Sequence, residues 1–353
     1  MSHSTVRLGG GSEWLRGEGR DVDVVVSSRV RLARNLAGFP FVSKARREDR
    51  RQILDLAQRT ILQGGLAPEM MWVDLNDVSA LERSVLVERH LISKQHAKGE
   101  EPRAVAVSSP DERLSIMINE EDHLRLQVIR GGLAITEAFE HVNDVDDKVE
   151  GSVDYAFSSR FGYLTACPTN VGTGIRVSVM LHLPGLKLTG EIEKVRRAAK
   201  GMSLAVRGFY GEGSEAVGDF YQLSNQTTLG KGEREILQEF SQNIVPKVIE
   251  YERLARRSML DKRRVVLEDR VHRAIGTLRH ARLLKSEEAM ELLSYVRLGV
   301  VLGVTGDLAL AQVNELMILT QPAHLQKLVK AELDQPARRI ERATLVRKKL
   351  GGC

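Results

Sequence analysis

The segment NEEDHLR (119–125) places three acids, a histidine and an arginine side by side. Period-2 alternation through residue 128 predicts a strand whose apolar face holds Leu124, Leu126 and Val128. The other face then carries Glu121, His123, Arg125 and Gln127. Carboxylates beside a cation are groups that hold a guanidinium and a phosphate, but a solvated charged turn has the same composition. The pattern alone leaves both interpretations open.

Arginine recurs on one face of two other predicted strands. In SSRVR (27–31), Arg29 and Arg31 share a face with Ser27, and in IRVSVMLHL (175–183), Arg176 shares one with Ser178. Several arginines on one sheet face repel each other unless an anion lies among them, and a polyphosphate is the obvious candidate. An ordinary half-exposed sheet is the alternative for any single strand. Because the sequence contains neither a P-loop nor the His-Arg-Asp and Asp-Phe-Gly set, an ATP site here would rest on arginines.

Strands and helices are mixed through the first two thirds of the chain, and they must position these side chains. Six segments are predicted as strands, namely 22–28, 104–109, 114–119, 123–129, 175–183 and 219–225. Four segments are predicted as helices, namely 46–62, 79–93, 135–151 and 191–202. The pattern therefore predicts a sheet with helices packed on it.

From Glu233 onward the pattern is helical, with Pro246 as a predicted kink. Later helices are predicted to start at Ser286, at Asp307, near Pro322 and at Pro336. We therefore predict an α+β fold with a mixed domain of strands and helices over residues 1–256 and a helical bundle over residues 257–353.

Composition limits the class of protein. The 353 residues suffice for two domains, and the net charge of +5 favours an anionic partner, although the basic residues are scattered. The only cysteines, Cys167 and Cys353, argue against a disulfide framework or a cysteine-based zinc site. Because the chain shows neither the apolar core of a signal peptide nor an apolar stretch of spanning length, we expect a cytoplasmic protein without membrane contact.

Four segments together resemble the signatures of the phosphagen (guanidino) kinase family, in the family's order: SSRVRLAR (27–34), NEEDHLR (119–125), ACPTNVGTGIR (166–176) and RGFYGEGSE (207–215). The resemblance implies a largely antiparallel sheet flanked by helices, with ATP and Mg²⁺ as cofactors. Within the family the chain most resembles the bacterial protein-arginine kinases. Only 26 residues precede the Ser-x-Arg-x-Arg segment, where small-substrate members carry a helical domain, and the helical C-terminal region is similar to the extra domain of the protein-arginine kinases.

The resemblance assigns tasks to the acids and to one cysteine. Glu121 and Glu212 would hold the substrate guanidinium, whose planar fork matches two carboxylates. Cys167 would stand beside it as a thiolate that tunes the site, the alternative being a small buried hydrophobe. Glu120 and Asp122 would hold Mg²⁺ through waters, or else form a solvated acidic turn.

The phosphate clamp that the resemblance implies consists of Arg29, Arg31, Arg125, Arg176 and Arg207. His90 is similar to the family histidine near the nucleotide, and an ordinary helix residue is the alternative. The predicted ATP site also includes the neighbours of these residues, namely Ser27, Ser28, Val30, Val177, Ser178, Val179, Met180, Gly208, Phe209, Tyr210 and Gly211. No direct metal ligand is predicted.

The C-terminal segment ARRIERA (337–343) resembles the Arg-Asp-x-x-Arg-Ala motif with which protein-arginine kinases bind phosphoarginine. Arg338, Arg342 and Ala343 match, but Arg339 stands where the motif has aspartate. Loss of the acid that would pair with a guanidinium leaves two interpretations open, a phosphoarginine site and a basic face on a solvated helix.

The resemblance thus implies an ATP:protein-arginine phosphotransferase of the heat-shock and stress response, which marks proteins for Clp-type proteolysis. The implied partners are protein substrates that include a heat-shock repressor, a zinc-binding activator protein, a Clp-type ATPase or protease, and a second copy of the chain. No direct contact with nucleic acid is expected. Two alternatives stay open, a kinase for free arginine or another small guanidine, and an inactive adaptor that binds phosphoarginine.

Overall fold

The computed structural model describes residues 11–209, 217–226 and 228–352. Contacts divide the chain into two compact units. Among the described residues, the first unit comprises 11–14, 27–179, 224–226 and 228–244, and the second comprises 15–26, 180–209, 217–223 and 245–352. The two units are each made of several separate segments that contact one another. They do not test the predicted domains 1–256 and 257–353, which stay a prediction.

Ten strands occur in the part of the chain that the structure describes. They are β1 (Val25–Arg34), β2 (Met70–Asp74), β3 (Ala104–Ser108), β4 (Leu114–Ile118), β5 (Leu124–Gly131), β6 (Phe157–Ser158), β7 (Gly162–Tyr163), β8 (Ile175–His182), β9 (Leu204–Arg207) and β10 (Phe220–Asn225). Eight of them form one sheet in the order β2-β3-β4-β5-β1-β8-β10-β9, and β6 pairs with β7. The successive pairings from β2 to β1 are all antiparallel, which confirms the expected sheet type.

Twelve α-helices lie in the described residues. They are α1 (Arg47–Gln63), α2 (Ala80–Glu88), α3 (Lys94–Lys98), α4 (Ile135–Glu150), α5 (Pro184–Leu188), α6 (Ile192–Gly201), α7 (Glu233–Gln238), α8 (Val245–His280), α9 (Ser286–Val301), α10 (Leu310–Leu319), α11 (Pro322–Val329) and α12 (Gln335–Leu350). None of these helices has the length and apolar character that a membrane span requires.

Helices of the first unit pack on its sheet because each has one apolar stripe. Ala138, Val142, Val145 and Val149 are all buried, and their spacing of three or four residues places them on the face of α4 that contacts β5. In β1 the alternation holds as predicted, since Val30 and Leu32 are fully buried whereas Arg29 and Arg31 are only partly buried.

The second unit is mainly helical around a buried polar network. Glu252 on α8 accepts hydrogen bonds from Arg256 Nε at 2.6 Å and from the backbone of α5, with 2.8 Å to Gly185 N. Arg297 on α9 donates to the carbonyl oxygen of Val22 at 2.7 Å and to His182 Nδ1 at 2.8 Å. These bonds satisfy buried charges that would otherwise destabilise the core.

All ten predicted segments of the mixed region are present, with shifted ends. The strand predicted over 22–28 begins at Val25 and continues to Arg34, and the helix expected at Asp307 begins at Leu310. Four short strands were not predicted. The pair β6 and β7 has only two residues in each strand. Strands β2 and β9 lie at the two ends of the large sheet, where one neighbour suffices and four or five residues leave too short a pattern to recognise.

Pro246, predicted as a kink, lies directly after a π-helical turn at Glu239–Ile244 that joins α7 to α8 without a break. A proline removes the N–H of one helical hydrogen bond, and a π-helical turn is a common local distortion of a helix at such a position. The backbone departs from helical geometry at Arg263, with φ −141° and ψ 35°.

Candidate active site

Four of the five predicted clamp arginines come together in the first unit. Arg29 and Arg31 lie on β1, Arg125 on β5 and Arg176 on β8, three strands that are neighbours in the sheet. Burial, followed by the charges of Arg29, Arg125 and Arg176, lowers the pKa of Arg31 well below its ordinary value. The Arg31 Nε is buried and has no hydrogen-bond partner among the described residues. A group of cations with an unused donor is a site for an anion.

Arg125 joins this cluster to the acids of NEEDHLR. Its Nη1 lies 2.7 Å from Glu120 Oε2, and its Nη2 lies 2.6 Å from Glu121 Oε2. Burial would lower the pKa of Arg125, but the charges of Glu120 and Glu121 raise it instead. Burial would raise the pKa of Glu120, but Arg125 and the hydroxyl of Ser93 lower it. The segment is therefore a network of paired charges and not a solvated turn.

Asp122 connects this network to the loop that carries Cys167. Its carboxylate is fully buried, and Oδ1 accepts hydrogen bonds from Asn35 Nδ2 at 2.6 Å and from Ala166 N at 2.7 Å. Cys167, the next residue, is partly exposed and has its Sγ 3.0 Å from the Thr169 hydroxyl. The chain neighbours Glu121 and Asp122 and the thiol of Cys167 are thereby held in one region of the first unit.

Glu120 and Asp122 do not fit the predicted binding of Mg²⁺ through water molecules. Glu120 is almost buried, with its oxygens occupied by Ser93, Arg125 and the backbone N–H of Glu121. Asp122 is closed to solvent, and burial raises its pKa. Within the described residues no group of three or more histidines, cysteines or acids is arranged to hold a metal ion.

Two glycines shape the Cys167 loop. Gly172 and Gly174 have φ values of +110° and +66°, which residues with a Cβ rarely adopt. A Cβ on Gly172 would meet the Thr228 carbonyl oxygen at 2.8 Å, and one on Gly174 would meet the Ala33 carbonyl oxygen at 2.6 Å. The glycines thus allow close packing of the loop against the protein's own backbone.

The histidines of this unit differ in their roles. His90 follows α2 in a left-handed conformation with φ +61°, and its ring packs edge-on against Trp14. Burial and the nearby charges of Arg29 and Lys94 lower the pKa of His90 to about 3, so its ring is neutral beside the arginine cluster. His123, predicted to share the working face of Glu121, is fully buried instead. Its Nδ1 accepts from Leu36 N at 2.9 Å, which makes it a structural residue.

Several predicted nucleotide contacts have side chains that are buried in the core. They are Ser28, Val30, Val177, Ser178, Val179, Met180 and Phe209. Ser28 illustrates the reason, because its hydroxyl donates to the Gly132 carbonyl oxygen at 2.8 Å and accepts from Ala134 N. These side chains therefore hold the strands, and a nucleotide contact through their backbone stays a prediction. Ser27 is partly exposed on the arginine face.

The remaining predicted residues fall elsewhere. Arg207 ends β9, and Gly208 and Phe209 follow it, all within the second unit. Tyr210, Gly211 and Glu212 lie outside the described residues.

In the C-terminal motif Arg342 is only 3% exposed and donates to the carbonyl oxygens of Thr320 at 2.6 Å and Leu284 at 2.9 Å. Arg338 donates to the Leu333 carbonyl oxygen, Arg339 is partly buried, and Ala343 is fully buried. The interpretation as a solvated basic face is therefore wrong for Arg342. Phosphoarginine binding there stays a prediction.

Three supporting residues were missed from the sequence. Ser93, Asn35 and Thr228 orient Glu120, Asp122 and the Cys167 loop respectively, the Thr228 hydroxyl lying 2.8 Å from the carbonyl oxygens of Thr169 and Val171. Asn35 follows the SSRVRLAR segment directly, which is a usable signal. Ser93 and Thr228 lie outside the four signature segments, and nothing in their local pattern indicates the site.

Comparison with known proteins identifies the family of the chain. Residues 57–255, more than half of the chain, match the profile of the ATP:guanido phosphotransferase C-terminal catalytic domain. Residues 264–353 match the profile of the protein-arginine kinase McsB C-terminal domain. A protein-arginine kinase of Halothermothrix orenii is 46% identical over 340 residues, which are 96% of each chain. The chain belongs to the protein-arginine kinase family.

A second relative supports the same assignment. The protein-arginine kinase of Geobacillus thermodenitrificans is 45% identical over 341 residues, covering 96% of this chain and 93% of the relative. The family resemblance drawn from the four signature segments is thus confirmed, and the chain contains the catalytic domain of a phosphagen kinase.

Among solved structures, lombricine kinase matches with a TM-score of 0.58 and 24% identity over 71% of this chain and 73% of its own. The duplicated taurocyamine kinase of Schistosoma mansoni matches with a TM-score of 0.60 and 24% identity, over 71% of this chain and 36% of its own. These structures confirm the predicted fold.

Proposed function

We propose that the protein transfers the γ-phosphate of ATP to arginine side chains of other proteins. The observation that carries the proposal is the cluster of Arg29, Arg31, Arg125 and Arg176 beside Glu121 and the Cys167 loop. The cluster supplies cations for the phosphates, and the acid supplies an anion for a guanidinium. The relatives named protein-arginine kinase support a protein, and not a free small guanidine, as the acceptor.

The chemical step needs little covalent help from the protein. A nitrogen of the substrate guanidinium forms a bond to the γ-phosphorus, and the bond from that phosphorus to the β,γ-bridging oxygen breaks, leaving its electron pair on ADP. The proton of the nitrogen passes to a carboxylate, for which Glu121 is the candidate. Positioning and the charge of the arginines account for the remainder, because negative charge is spread over the phosphate oxygens in the transition state.

One assay separates the three hypotheses. The protein is incubated with Mg-ATP and either an arginine-rich protein or free arginine, and acid-labile phosphate on arginine nitrogen is measured. We expect label on the protein substrate. Label on free arginine alone would support the small-guanidine kinase, and absence of label would support the adaptor.

Glu121→Gln tests the role of the carboxylate. Because the amide keeps the shape but neither pairs with a guanidinium nor takes its proton, we expect the transfer rate to fall by about 10²- to 10⁴-fold while ATP binding persists. Glu137→Gln, which neutralises an exposed acid on α4, is the matched control and leaves the rate unchanged. Undiminished transfer in Glu121→Gln would contradict the assignment.

The wider setting is part of the same proposal. The family resemblance implies that the protein acts in the cytoplasm during the stress response, and that phosphorylated proteins, a heat-shock repressor among them, pass to a Clp-type protease. A zinc-binding activator protein and a homodimer through the helical region complete it. Mg²⁺ would arrive bound to the phosphates of ATP.

A further inference from the structure

Arg125 makes two ion pairs that differ in how tightly the protein holds the acid. The side chain of Glu120 is 6% exposed and is also bonded by the Ser93 hydroxyl at 2.6 Å and by its neighbour's backbone N–H at 2.8 Å. The side chain of Glu121 is 44% exposed, and its only described hydrogen bond is the one from Arg125 Nη2. Glu120 is therefore a fixed partner of Arg125, whereas Glu121 is an exchangeable one.

The group bonded to Glu121 has the chemistry of the proposed substrate. A substrate arginine presents a planar fork of N–H donors to the carboxylate, and Arg125 already directs one guanidinium nitrogen, Nη2, at Glu121 Oε2 from 2.6 Å. Because Arg125 occupies Oε2, a substrate arginine cannot at the same time form the stronger pair that uses both oxygens of the carboxylate. A substrate arginine that reaches Glu121 therefore competes with an arginine of the protein itself.

Nucleotide phosphates would change the outcome of this competition. Arg125 lies close enough to Arg31, Arg29 and Arg176 to belong to one charge cluster, and an anion bound in that cluster attracts its N–H donors. Nη2 is the half of the guanidinium that can exchange an exposed carboxylate for a phosphate oxygen, since Nη1 stays on the buried Glu120. Such an exchange frees the exposed Glu121 carboxylate and leaves Arg125 paired with Glu120 and a phosphate oxygen.

We propose that Arg125 is an internal substitute for the substrate guanidinium, which occupies Glu121 until nucleotide phosphates draw it away. Nucleotide binding thus opens the arginine site, and the protein does not present a free Glu121 to arginine-rich surfaces when ATP is absent. The inference rests on the proposed function. Because linkage is reciprocal, a bound arginine tightens nucleotide binding by the same factor.

The test is a calorimetric titration of a blocked peptide with a single arginine into the full chain. One titration is performed without nucleotide, and one with a saturating amount of the Mg²⁺ complex of the β,γ-imido analogue of ATP. We expect the nucleotide to lower the peptide Kd by at least about 5-fold, the lower end of typical coupling between two sites.

Variants identify the residue responsible. In Arg125→Gln the peptide Kd without nucleotide should equal that of the nucleotide-bound native protein, and the nucleotide should then change it by less than about 2-fold. Arg125→Lys keeps a positive charge beside Glu120 but lacks the planar fork of the guanidinium, so we expect intermediate coupling. This variant replaces Arg125→Gln in the test if Arg125→Gln does not fold. Arg31→Gln removes a charge from the same cluster and leaves the Arg125 pairs intact, so its coupling should remain native at nucleotide saturation.

The outcomes separate this inference from the proposed function. A peptide that binds equally well without nucleotide, or not at all with it, overturns the inference even if the protein phosphorylates arginine. Native coupling in both Arg125 variants, or loss of coupling in Arg31→Gln as well, also overturns it, because the effect would then reflect overall charge. Absence of arginine phosphorylation in the transfer assay overturns the proposed function instead.

Discussion

The two units each contain a group of arginines with limited access to water, and they satisfy the charge differently. In the second unit, Arg256 and Arg297 direct their N–H groups at carbonyl oxygens, at Glu252 and at His182. Burial, followed by the charge of Arg256, lowers the pKa of Arg297 to about 9, so a lowered pKa alone does not distinguish the two groups. In the first unit, Arg31 has three arginine neighbours and a buried Nε without a described partner. Arginines with complete partners hold the fold, whereas an incomplete cluster is suited to binding.

Arg256→Met tests the arginine network of the second unit and should give the largest loss of stability. The change leaves the fully buried Glu252 without its cation, so we expect the free energy of unfolding to fall by about 3–5 kcal/mol in urea titrations. The double variant Arg256→Met/Glu252→Gln should recover part of the loss, because no buried charge remains unpaired. A loss below about 1 kcal/mol in the single variant would show that this network is not structural.

Arg31→Gln tests the arginine cluster of the first unit and should lower the rate of phosphate transfer. Removing one donor to the transition state lowers the transfer rate by about 10²- to 10³-fold. The free energy of unfolding should stay the same or rise, because repulsion from Arg29, Arg125 and Arg176 is relieved. Steady-state rates and urea titrations of the same preparation measure both quantities. Arg273→Gln, which removes an exposed arginine of α8 that pairs with Asp269 at the surface, should alter neither appreciably.

Acid should weaken the second unit through His182. Burial, then the charges of Arg297 and Arg256, holds the pKa of His182 well below its ordinary value. The unfolded chain therefore binds a proton that the folded chain does not, and the stabilisation present above pH 6.5 is lost as the pH falls. The free energy of unfolding should drop by about 1.4 kcal/mol per pH unit from this residue.

Urea titrations at pH 7 and pH 5 measure that slope. His182→Gln keeps an acceptor for Arg297 and a donor for Ser294 but cannot titrate, so the slope should shrink by the contribution of one histidine. An unchanged slope would mean that other groups carry the acid sensitivity.

The sequence predicted the strands that carry the arginines better than the bonds that those arginines make. Arg31 and Arg34 belong to one signature segment, yet Arg34 is 1% exposed, bonded to Asp146 at 2.6 Å and stacked over Tyr163. Alternation assigns a side chain to a face of the sheet. It does not reveal the residue on another element that meets the side chain there.

The amino-acid sequence by itself determined the α+β class, the arginine-bearing faces of β1, β5 and β8, and the family, because these depend on local periodicity and on contiguous motifs. Only the tertiary structure decided that Asp122 is a buried link to Ala166, that Arg342 bonds two carbonyl oxygens, and that Arg125 is shared between Glu120 and Glu121. The physical reason is that burial and charge pairing depend on partners distant in sequence. Residues of the same type in one short segment, such as Glu120 and Glu121, can therefore have different roles.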